Sequence, residues 1–156
     1  MKTYDLKTAY MRNPMGLDDL HPQLSWKTKD GKKQTSFKIE VSVNDKPWKL
    51  MEERRSDSMK TSYSLPLESR DRILWRVAVA DENGVYDSWS QPAFFEMGLL
   101  EKKEWKASFI MGNYEHSKSP KVRYPVDCFK KTFRIKKEKL VRARLYITAC
   151  GLNETK

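Results

Sequence analysis

Long hydrophobic runs are absent from this 156-residue sequence. The longest apolar stretches cover a few residues, as at Phe109-Ile110-Met111, far fewer than the roughly 20 that a membrane-spanning helix needs. Residues 1–7 contain no apolar segment followed by a small-residue cleavage site, which a secretory signal requires. We therefore expect no membrane span, no secretory signal and a cytoplasmic location.

Cysteine, histidine and glycine are also scarce, with two, two and six residues. Cys128 and Cys150 are too few for a disulfide framework, so in a reducing compartment we expect both to be small buried side chains. These cysteines share no CxxC or HxxxH spacing with His21 and His116, and no metal site is predicted. The scattered glycines form no phosphate-binding loop, so no nucleotide cofactor is expected.

Sequence patterns that carry catalysis are missing as well. No GxSxG segment is present to hold a nucleophilic serine. Adjacent carboxylates occur at Asp18-Asp19, Glu52-Glu53 and Asp81-Glu82. They fall in turns or polar segments, whereas glycoside hydrolysis needs two carboxylates on rigid, facing elements. We assign no catalytic residue, no cofactor-binding residue and no metal ligand in this chain.

The sequence does have a period-two alternation of apolar and polar residues, which is typical of half-buried strands. It predicts strands at residues 37–43, 73–80 and 93–97, and shorter strands at 24–28 and 62–65. Gly, Pro, Asn and Asp clusters separate these segments at intervals of roughly ten residues, the spacing of a β-sandwich. Residues 48–55 are the one helix-like segment.

The composition changes after Gly98. Residues 99–106 are typical of a polar connector and 109–111 of a brief strand. Alternation returns at 128–135 and 141–149, which predicts two further strands with an apolar face and too few partners to cover it. We therefore predict an all-β chain: a β-sandwich at residues 1–98, then a linker and the first strands of a second, incomplete β-sandwich at 99–156.

Positive charge is concentrated in this second segment. Residues 1–98 contain 16 basic and 15 acidic residues, a net +1, whereas residues 99–156 contain 15 basic and 6 acidic, a net +9. Basic residues interleaved with aromatics can bind nucleic acid or an acidic polysaccharide, but no recognised nucleic-acid motif accompanies them. We favour the solvent-facing side of two strands, where charge blocks edge pairing. An independent basic binding module remains the alternative.

The five tryptophans divide between core and surface. Trp75 and Trp26 fit the inward faces of predicted strands. Trp48, Trp89 and Trp105 fall outside those faces, and because aromatic rings stack on sugars they are the candidates for carbohydrate contact.

Two resemblances follow from particular segments. Residues 75–84, which end in the turn Asp81-Glu82-Asn83-Gly84, and the Ser88-Trp89-Ser90 that follows resemble the late strands of a fibronectin type III domain. Over nearly the whole chain, the order of segments resembles the N-terminal region of bacterial α-L-rhamnosidases. The segments are Leu6, Asn13-Pro14-Met15-Gly16-Leu17-Asp18, Pro22-Gln23-Leu24-Ser25-Trp26, Trp75-Arg76-Val77, Ser88-Trp89-Ser90, Phe95-Glu96-Met97-Gly98-Leu99-Leu100, Trp105-Lys106-Ala107 and Ala143-Arg144-Leu145-Tyr146-Ile147-Thr148-Ala149-Cys150-Gly151.

The resemblance implies a fibronectin type III or Ig-like β-sandwich at residues 1–98 and the start of a carbohydrate-binding-type β-sandwich at 99–156. In these glycoside hydrolases, which remove terminal α-L-rhamnose, the catalytic carboxylates lie on a downstream (α/α)-barrel. A non-catalytic role in domain packing and carbohydrate contact is therefore implied. The implied partners are the downstream domains of the parent enzyme and, through it, rhamnose-containing glycosides. A general adhesion or scaffold module is a third hypothesis.

Overall fold

The computed structural model describes residues 1–115, 123, 126–134, 142–150 and 153–154. The chain forms two compact units, Met1–Trp105 and Lys106–Lys156, which we call unit 1 and unit 2. Unit 1 contains eight strands and one turn of 3-10 helix, Lys102–Glu104. The strands are β1 Lys2–Thr8, β2 Met15–Leu17, β3 Gln23–Lys29, β4 Ser36–Val43, β5 Lys49–Arg54, β6 Lys60–Ser62, β7 Arg72–Ala80 and β8 Ala93–Met97.

The strands of unit 1 form two sheets. The three-stranded sheet has the order β1-β3-β6, and the five-stranded sheet has the order β2-β8-β7-β4-β5. Neighbouring strands are antiparallel, apart from β2, which is parallel to β8. Two mainly antiparallel sheets of this size form an Ig-type sandwich. The predicted all-β class is confirmed.

The core consists of side chains at alternating positions of both sheets. Its fully buried members include Leu24, Phe37, Ile39, Val41, Tyr63, Ile73, Trp75, Val77 and Phe95. Full burial of side chains of this size contributes about 1.5–3 kcal/mol each. Two indoles also satisfy their polar atoms, since Trp75 Nε1 donates to Thr8 Oγ1 at 3.1 Å and Trp26 Nε1 donates to Gln34 Oε1 at 3.0 Å. The prediction that both tryptophans belong to the core is confirmed.

Most predicted strands of unit 1 are present, and two predictions need correction. Strands predicted at 37–43, 73–80, 93–97 and 24–28 correspond to β4, β7, β8 and β3. The helix predicted at 48–55 is wrong, because this segment forms β5, an edge strand with a register shift opposite Ile39 and Glu40. The bounds of the strand predicted at 62–65 are too far along the sequence, because β6 is Lys60–Ser62 and the next residue, Tyr63, is buried in the core.

The polar segment after Gly98 is fixed to unit 1. Ser69 Oγ donates to the Glu104 carboxylate and accepts the backbone N–H of Leu100 at 2.9 Å. Arg70 Nη1 reaches the same carboxylate at 2.8 Å, and Leu100 packs against the core. Unit 1 therefore extends seven residues beyond Gly98, to Trp105.

Unit 2 differs from the sequence prediction. Residues 128–134 and 142–149 form no strand, and positions 135 and 141 lie outside the described residues. Residues 109–111 form no strand either, and their side chains are exposed. Strands require neighbouring backbone to accept and donate their hydrogen bonds, and the described segments of unit 2 do not pair with one another in this way. Cys128 and Cys150 are exposed, so the prediction that they are buried is wrong: no sheet formed by the described residues covers them.

Candidate functional site

The metal-ligating candidates of the sequence do not come together. The Nδ1 atom of His21 lies 3.3 Å from the carbonyl oxygen of Tyr63. The backbone N–H of His21 donates to Asp19 Oδ1 at 2.8 Å, so His21 has a structural role in the loop before β3. His116 lies outside the described residues. In the part of the chain that the structure describes, no three or more His, Cys, Asp or Glu side chains are grouped to hold a metal ion. The same residues contain no helix of the length and apolarity needed to cross a membrane.

Two of the three tryptophans proposed for carbohydrate contact do come together. Trp48 precedes β5 and Trp89 lies between β7 and β8, yet both are close to Arg76, which faces outward from β7. The Arg76 guanidinium carbon lies 4.5 Å from the Trp48 ring centroid and 4.8 Å from that of Trp89. One arginine therefore links two tryptophans that are 41 positions apart in the sequence.

The register of β4 and β7 explains this arrangement. Glu40 lies directly opposite Arg76, and its Oε2 atom accepts from Arg76 Nε at 2.9 Å and from Nη2 at 2.6 Å. Charge-assisted hydrogen bonds of this kind fix the plane of the guanidinium group. A planar cation held in one orientation can lie over aromatic rings on either side of it.

Lys38 of β4 adds a second cation to this group of aromatic side chains. Its Nζ atom lies 4.6 Å from the Tyr86 ring centroid and 5.1 Å from that of Trp89. Tyr86 in turn donates its hydroxyl to Glu53 Oε1 at 3.2 Å. Partial burial of the ring, helped by the Glu53 carboxylate, raises the pKa of Tyr86 above its ordinary value.

We call the set Trp48, Arg76, Trp89, Lys38 and Tyr86 the cation–aromatic ladder. A further cation–aromatic contact lies outside the ladder, between β7 and β8, where the Arg72 guanidinium carbon is 5.0 Å from the Phe94 ring centroid. Each contact of this kind contributes about 0.5–1 kcal/mol when exposed and more when water is excluded. The ladder stiffens the outer face of the five-stranded sheet.

The ladder limits what its aromatic rings can do. Trp48 and Trp89 are half-buried. Two cations, those of Arg76 and Lys38, lie within 5.1 Å of the Trp89 ring centroid. A sugar that stacked on these rings would have to displace cations already in contact with them. Side chains such as Trp, Tyr and Arg are instead enriched where protein surfaces pack together. The geometry therefore favours a packing surface over a sugar-binding platform.

Trp105 is a separate feature. It follows the 3-10 turn at the end of unit 1 and is 38% exposed. The turn is fixed through Glu104 to Ser69 and Arg70, which lie just before β7. Trp48 and Trp89 are recognisable from the sequence as surface aromatics, whereas the roles of Arg76, Lys38 and Tyr86 depend on cross-strand register and carry no signal in the sequence.

The sequence of unit 1 matches one family model. Residues 3–101 match the family described as the Rha78A-like, N-terminal immunoglobulin domain. The chain belongs to this family. The N-terminal resemblance predicted from the sequence is thereby confirmed, and the eight strands of the sandwich are those of a Rha78A-like immunoglobulin domain.

Relatives of this Rha78A-like domain are named α-L-rhamnosidases. The chain is 34% identical over 155 residues to an α-L-rhamnosidase of Alteromonas sp. (strain LOR), covering 90% of the chain and 17% of the relative. It is 32% identical over 111 residues to an α-L-rhamnosidase of Streptomyces avermitilis, covering 65% of the chain and 11% of the relative. The chain thus spans about a sixth or less of the relatives it matches.

Solved structures give the same result for the fold. The α-L-rhamnosidase from Dictyoglumus thermophilum superposes with a TM-score of 0.62 at 27% identity, over 69% of this chain and 13% of that one. The Streptomyces avermitilis enzyme complexed with L-rhamnose superposes with a TM-score of 0.61 at 28% identity, over 68% of this chain and 11% of that one. The Rha78A-like domain of this chain therefore has the fold of a small part of two larger rhamnosidases.

Proposed function

We propose that this chain is the non-catalytic N-terminal part of an α-L-rhamnosidase, an enzyme that hydrolyses terminal α-L-rhamnose from glycosides. The observation that carries the proposal is the match of residues 3–101 to the N-terminal immunoglobulin domain family, together with 34% identity to a named rhamnosidase of which the chain covers only 17%. The activity would belong to the remainder of the polypeptide.

Four carboxyl groups of unit 1 are unsuited to act as the general acid of a glycosidase. Hydrogen bonds from side-chain or backbone donors lower the pKa values of Asp5, Asp81, Asp87 and Glu104. A glycosidase needs one carboxyl with a raised pKa as general acid, and these four groups are displaced in the opposite direction. Glu40 and Glu96 are ion-paired to Arg76 and Arg72.

We propose that the Rha78A-like domain serves the enzyme by packing against a downstream domain through the cation–aromatic ladder. Two observations support this: the ladder is rich in Trp, Tyr and Arg, and the ring faces are occupied by cations. In this proposal residues 106–156 belong to the start of a second β-sandwich of carbohydrate-binding type, whose other strands would be supplied by the rest of the enzyme.

The full coding sequence and its product test the proposal. We expect a much longer polypeptide that releases rhamnose from an aryl α-L-rhamnoside. A reading frame that stops close to Lys156, or a long product that leaves rhamnosides intact, would contradict it.

The packing role has its own test in the long gene product. Trp48→Ala with Trp89→Ala should lower its melting temperature more than it lowers that of the 156-residue chain, because an interface is lost as well. Tyr10→Ala is the control, since Tyr10 is 78% exposed outside the ladder. Equal losses in both proteins would show that the ladder stabilises only its own domain.

A further inference from the structure

The outer face of the three-stranded sheet carries a concentration of lysines. In β1 and β3, Lys2 lies opposite Lys29 and Tyr4 lies opposite Lys27. Lys7 of β1 and Lys60 of β6 both pair with Ser25, so they lie on either side of it. We call this set, Lys2, Tyr4, Lys7, Lys27, Lys29 and Lys60, the lysine face. Neighbouring strands are about 4.8 Å apart, so the amino groups form one continuous basic surface.

A bulge in β1 supplies the face with a single carboxylate. Tyr4 pairs with Lys27 and Lys7 pairs with Ser25, so two residues, Asp5 and Leu6, oppose one residue of β3. Asp5 has a φ of 51°, the left-handed conformation typical of the first residue in one class of bulge. The extra residue lets Leu6 pack against the core while Asp5 joins the lysines.

This one carboxylate is shared by three cations. The Asp5 side chain is 7% exposed, and its oxygens lie 2.6 Å from Arg12 Nη2, 3.0 Å from Lys27 Nζ and 3.9 Å from Lys7 Nζ. Hydrogen bonds from Arg12 and Lys27 lower the pKa of Asp5 to about 2. Lys2, Lys29 and Lys60 have no carboxylate partner among the described residues. The face therefore keeps a large positive excess.

The opposite face of the same sandwich is different. Arg76 is paired with Glu40, and Arg72 is paired with Glu96 and Asp45. Residues 1–98 have a net charge of only +1, so the excess on the lysine face is balanced by acidic residues elsewhere in the domain. The outer face of the five-stranded sheet pairs its arginines with carboxylates, whereas the lysine face shares a single carboxylate among its cations, and a net count conceals this difference. The loop after β3 contains Asp30, Lys32 and Lys33, and Lys33 Nζ lies 3.6 Å from Asp57 Oδ2.

The lysine face also has features that suit a sugar chain. Tyr4 lies between Lys2 and Lys7 on β1 and is 44% exposed. Lys29 Nζ is 5.9 Å from its ring centroid, farther than the 4.5–5.1 Å contacts of the ladder, so the Tyr4 ring is less covered by a cation. An open polar depression adjoins the face at the β6 edge, lined by polar groups that include Gln23, Lys60 and Ser62 and by Glu52, whose carboxylate is paired with Arg54 at 2.6 Å. An exposed aromatic ring can stack on a sugar ring, and the polar groups can bind hydroxyls.

From this geometry we infer that the lysine face binds an anionic polysaccharide, a sugar chain that carries carboxylate or sulfate groups. The lysines pair with the anionic groups and Tyr4 stacks on a sugar ring. A face with cations on three adjacent strands fits an extended polymer better than a single small anion.

Other classes of partner fit less well. Lysine is depleted in the interfaces between proteins, so the composition of this face argues against a packing surface, in contrast to the ladder. Nucleic acid would satisfy the charge, but sequence-tolerant binding of single strands uses several stacking aromatics, and Tyr4 is the one aromatic of the lysine face. The choice of a glycan over nucleic acid also rests on the proposed function.

The experiment measures binding of the 156-residue chain to polygalacturonate, dextran sulfate, neutral dextran and duplex DNA by isothermal titration calorimetry. We expect binding to the two anionic glycans at about 50 mM salt, strong loss at about 500 mM salt, and no binding to neutral dextran. We expect DNA to bind more weakly than the anionic glycans.

Matched variants assign the binding to this face. Lys2→Gln with Lys29→Gln removes two lysines that have no carboxylate partner among the described residues, so the fold should be retained. We expect it to weaken glycan binding at least about fivefold, and Tyr4→Leu to weaken it at unchanged charge. Lys46→Gln with Lys49→Gln makes the same charge change on exposed positions of the other sheet and its loop and should have little effect.

Four results would overturn the inference: no binding to either anionic glycan, binding to neutral dextran, DNA binding as tight as glycan binding, or equal loss in the two lysine pairs. The last result would assign binding to overall charge, including that of residues 106–156. Rhamnose release by the long gene product is independent of all four. Failure of this inference and failure of the proposed function are therefore distinguishable.

Discussion

At the residue scale, Tyr63 is the most unusual side chain of the sandwich. It is fully buried and its ring lies edge-on to Phe95, with centroids 5.4 Å apart. Its hydroxyl has no hydrogen-bond partner among the described residues. Burial, together with the negative charge of Asp71, raises the pKa of Tyr63 to about 12. The folded state therefore keeps this proton more tightly than the unfolded chain, in which tyrosine titrates near 10.

This shift predicts a loss of stability in alkali. The contribution is complete below about pH 10 and is lost as the pH rises towards 12, because the unfolded chain releases the proton first. Two pKa units correspond to about 2–3 kcal/mol. Tyr63→Phe should remove this part of the pH dependence and change stability at pH 7 by less than about 1 kcal/mol, since no hydrogen bond is lost. Urea unfolding of both proteins at pH 7, 10 and 12 measures it, and parallel losses would contradict the explanation.

Asp5 predicts the opposite behaviour in acid. Its pKa is about 2 because Arg12 and Lys27 hydrogen-bond to the ionised carboxylate. Its contribution to stability is therefore present above about pH 4, the value for an unfolded aspartate, and is lost as the pH falls towards 2. Asp5→Asn should be less stable than the parent at pH 7, with the difference shrinking near pH 2. A difference that stays constant with pH would assign the loss to the bulge geometry instead.

At the scale of elements, strands could be predicted where alternation is unbroken. β4 and β7 pair without interruption over eight residues, from Ser36 with Ala80 to Val43 with Ile73. β1 could not be predicted in this way, because its bulge shifts the alternation by one residue. Leu6 and Thr8 face the core after the bulge, whereas odd-numbered positions such as Thr3 face inward before it. β5 fails similarly, since it is an edge strand with a register shift and no fully buried residue.

The same limit applies to the two surfaces. Trp48 and Trp89 could be identified from the sequence as surface aromatics, but their link through Arg76 depends on strand pairing across the sheet. The lysine face could not be found, because its description needs β1 and the bulge. The net charge of the segments instead suggested a basic binding surface in residues 99–156, where the excess of basic residues is larger but lies on no sheet formed by the described residues.

Arg76 predicts how much the ladder stabilises its sheet. Arg76→Met removes the ion pair with Glu40 and two cation–aromatic contacts, and should cost about 1–3 kcal/mol in the free energy of unfolding. Arg55→Met is the matched control, because Arg55 is exposed in the β5–β6 loop; it should cost less than about 0.5 kcal/mol. Chemical denaturation of both variants compares them, and equal costs would show that the ladder contributes no stability.

At the scale of the whole molecule, the two units should differ in stability. Unit 1 has a continuous core and two sheets, whereas residues 106–115, 126–134 and 142–150 form no helix or strand. Backbone hydrogen exchange should be slowest at β4 and β7 and fast in those described segments of unit 2, because exchange reports local opening. Mass spectrometry of exchanged peptides measures both. Equal protection in the two units would contradict this expectation, because it would mean that the backbone amides of unit 2 are hydrogen-bonded or shielded from solvent as well as those of β4 and β7.

We propose that this chain is non-catalytic and that the remainder of a rhamnosidase carries the activity. The direct test is rhamnose release from an aryl α-L-rhamnoside, measured side by side for the purified 156-residue chain and for the full gene product at equal molar concentration. We predict no release above the blank by the chain and clear release by the gene product. Release by the chain alone would contradict the non-catalytic role.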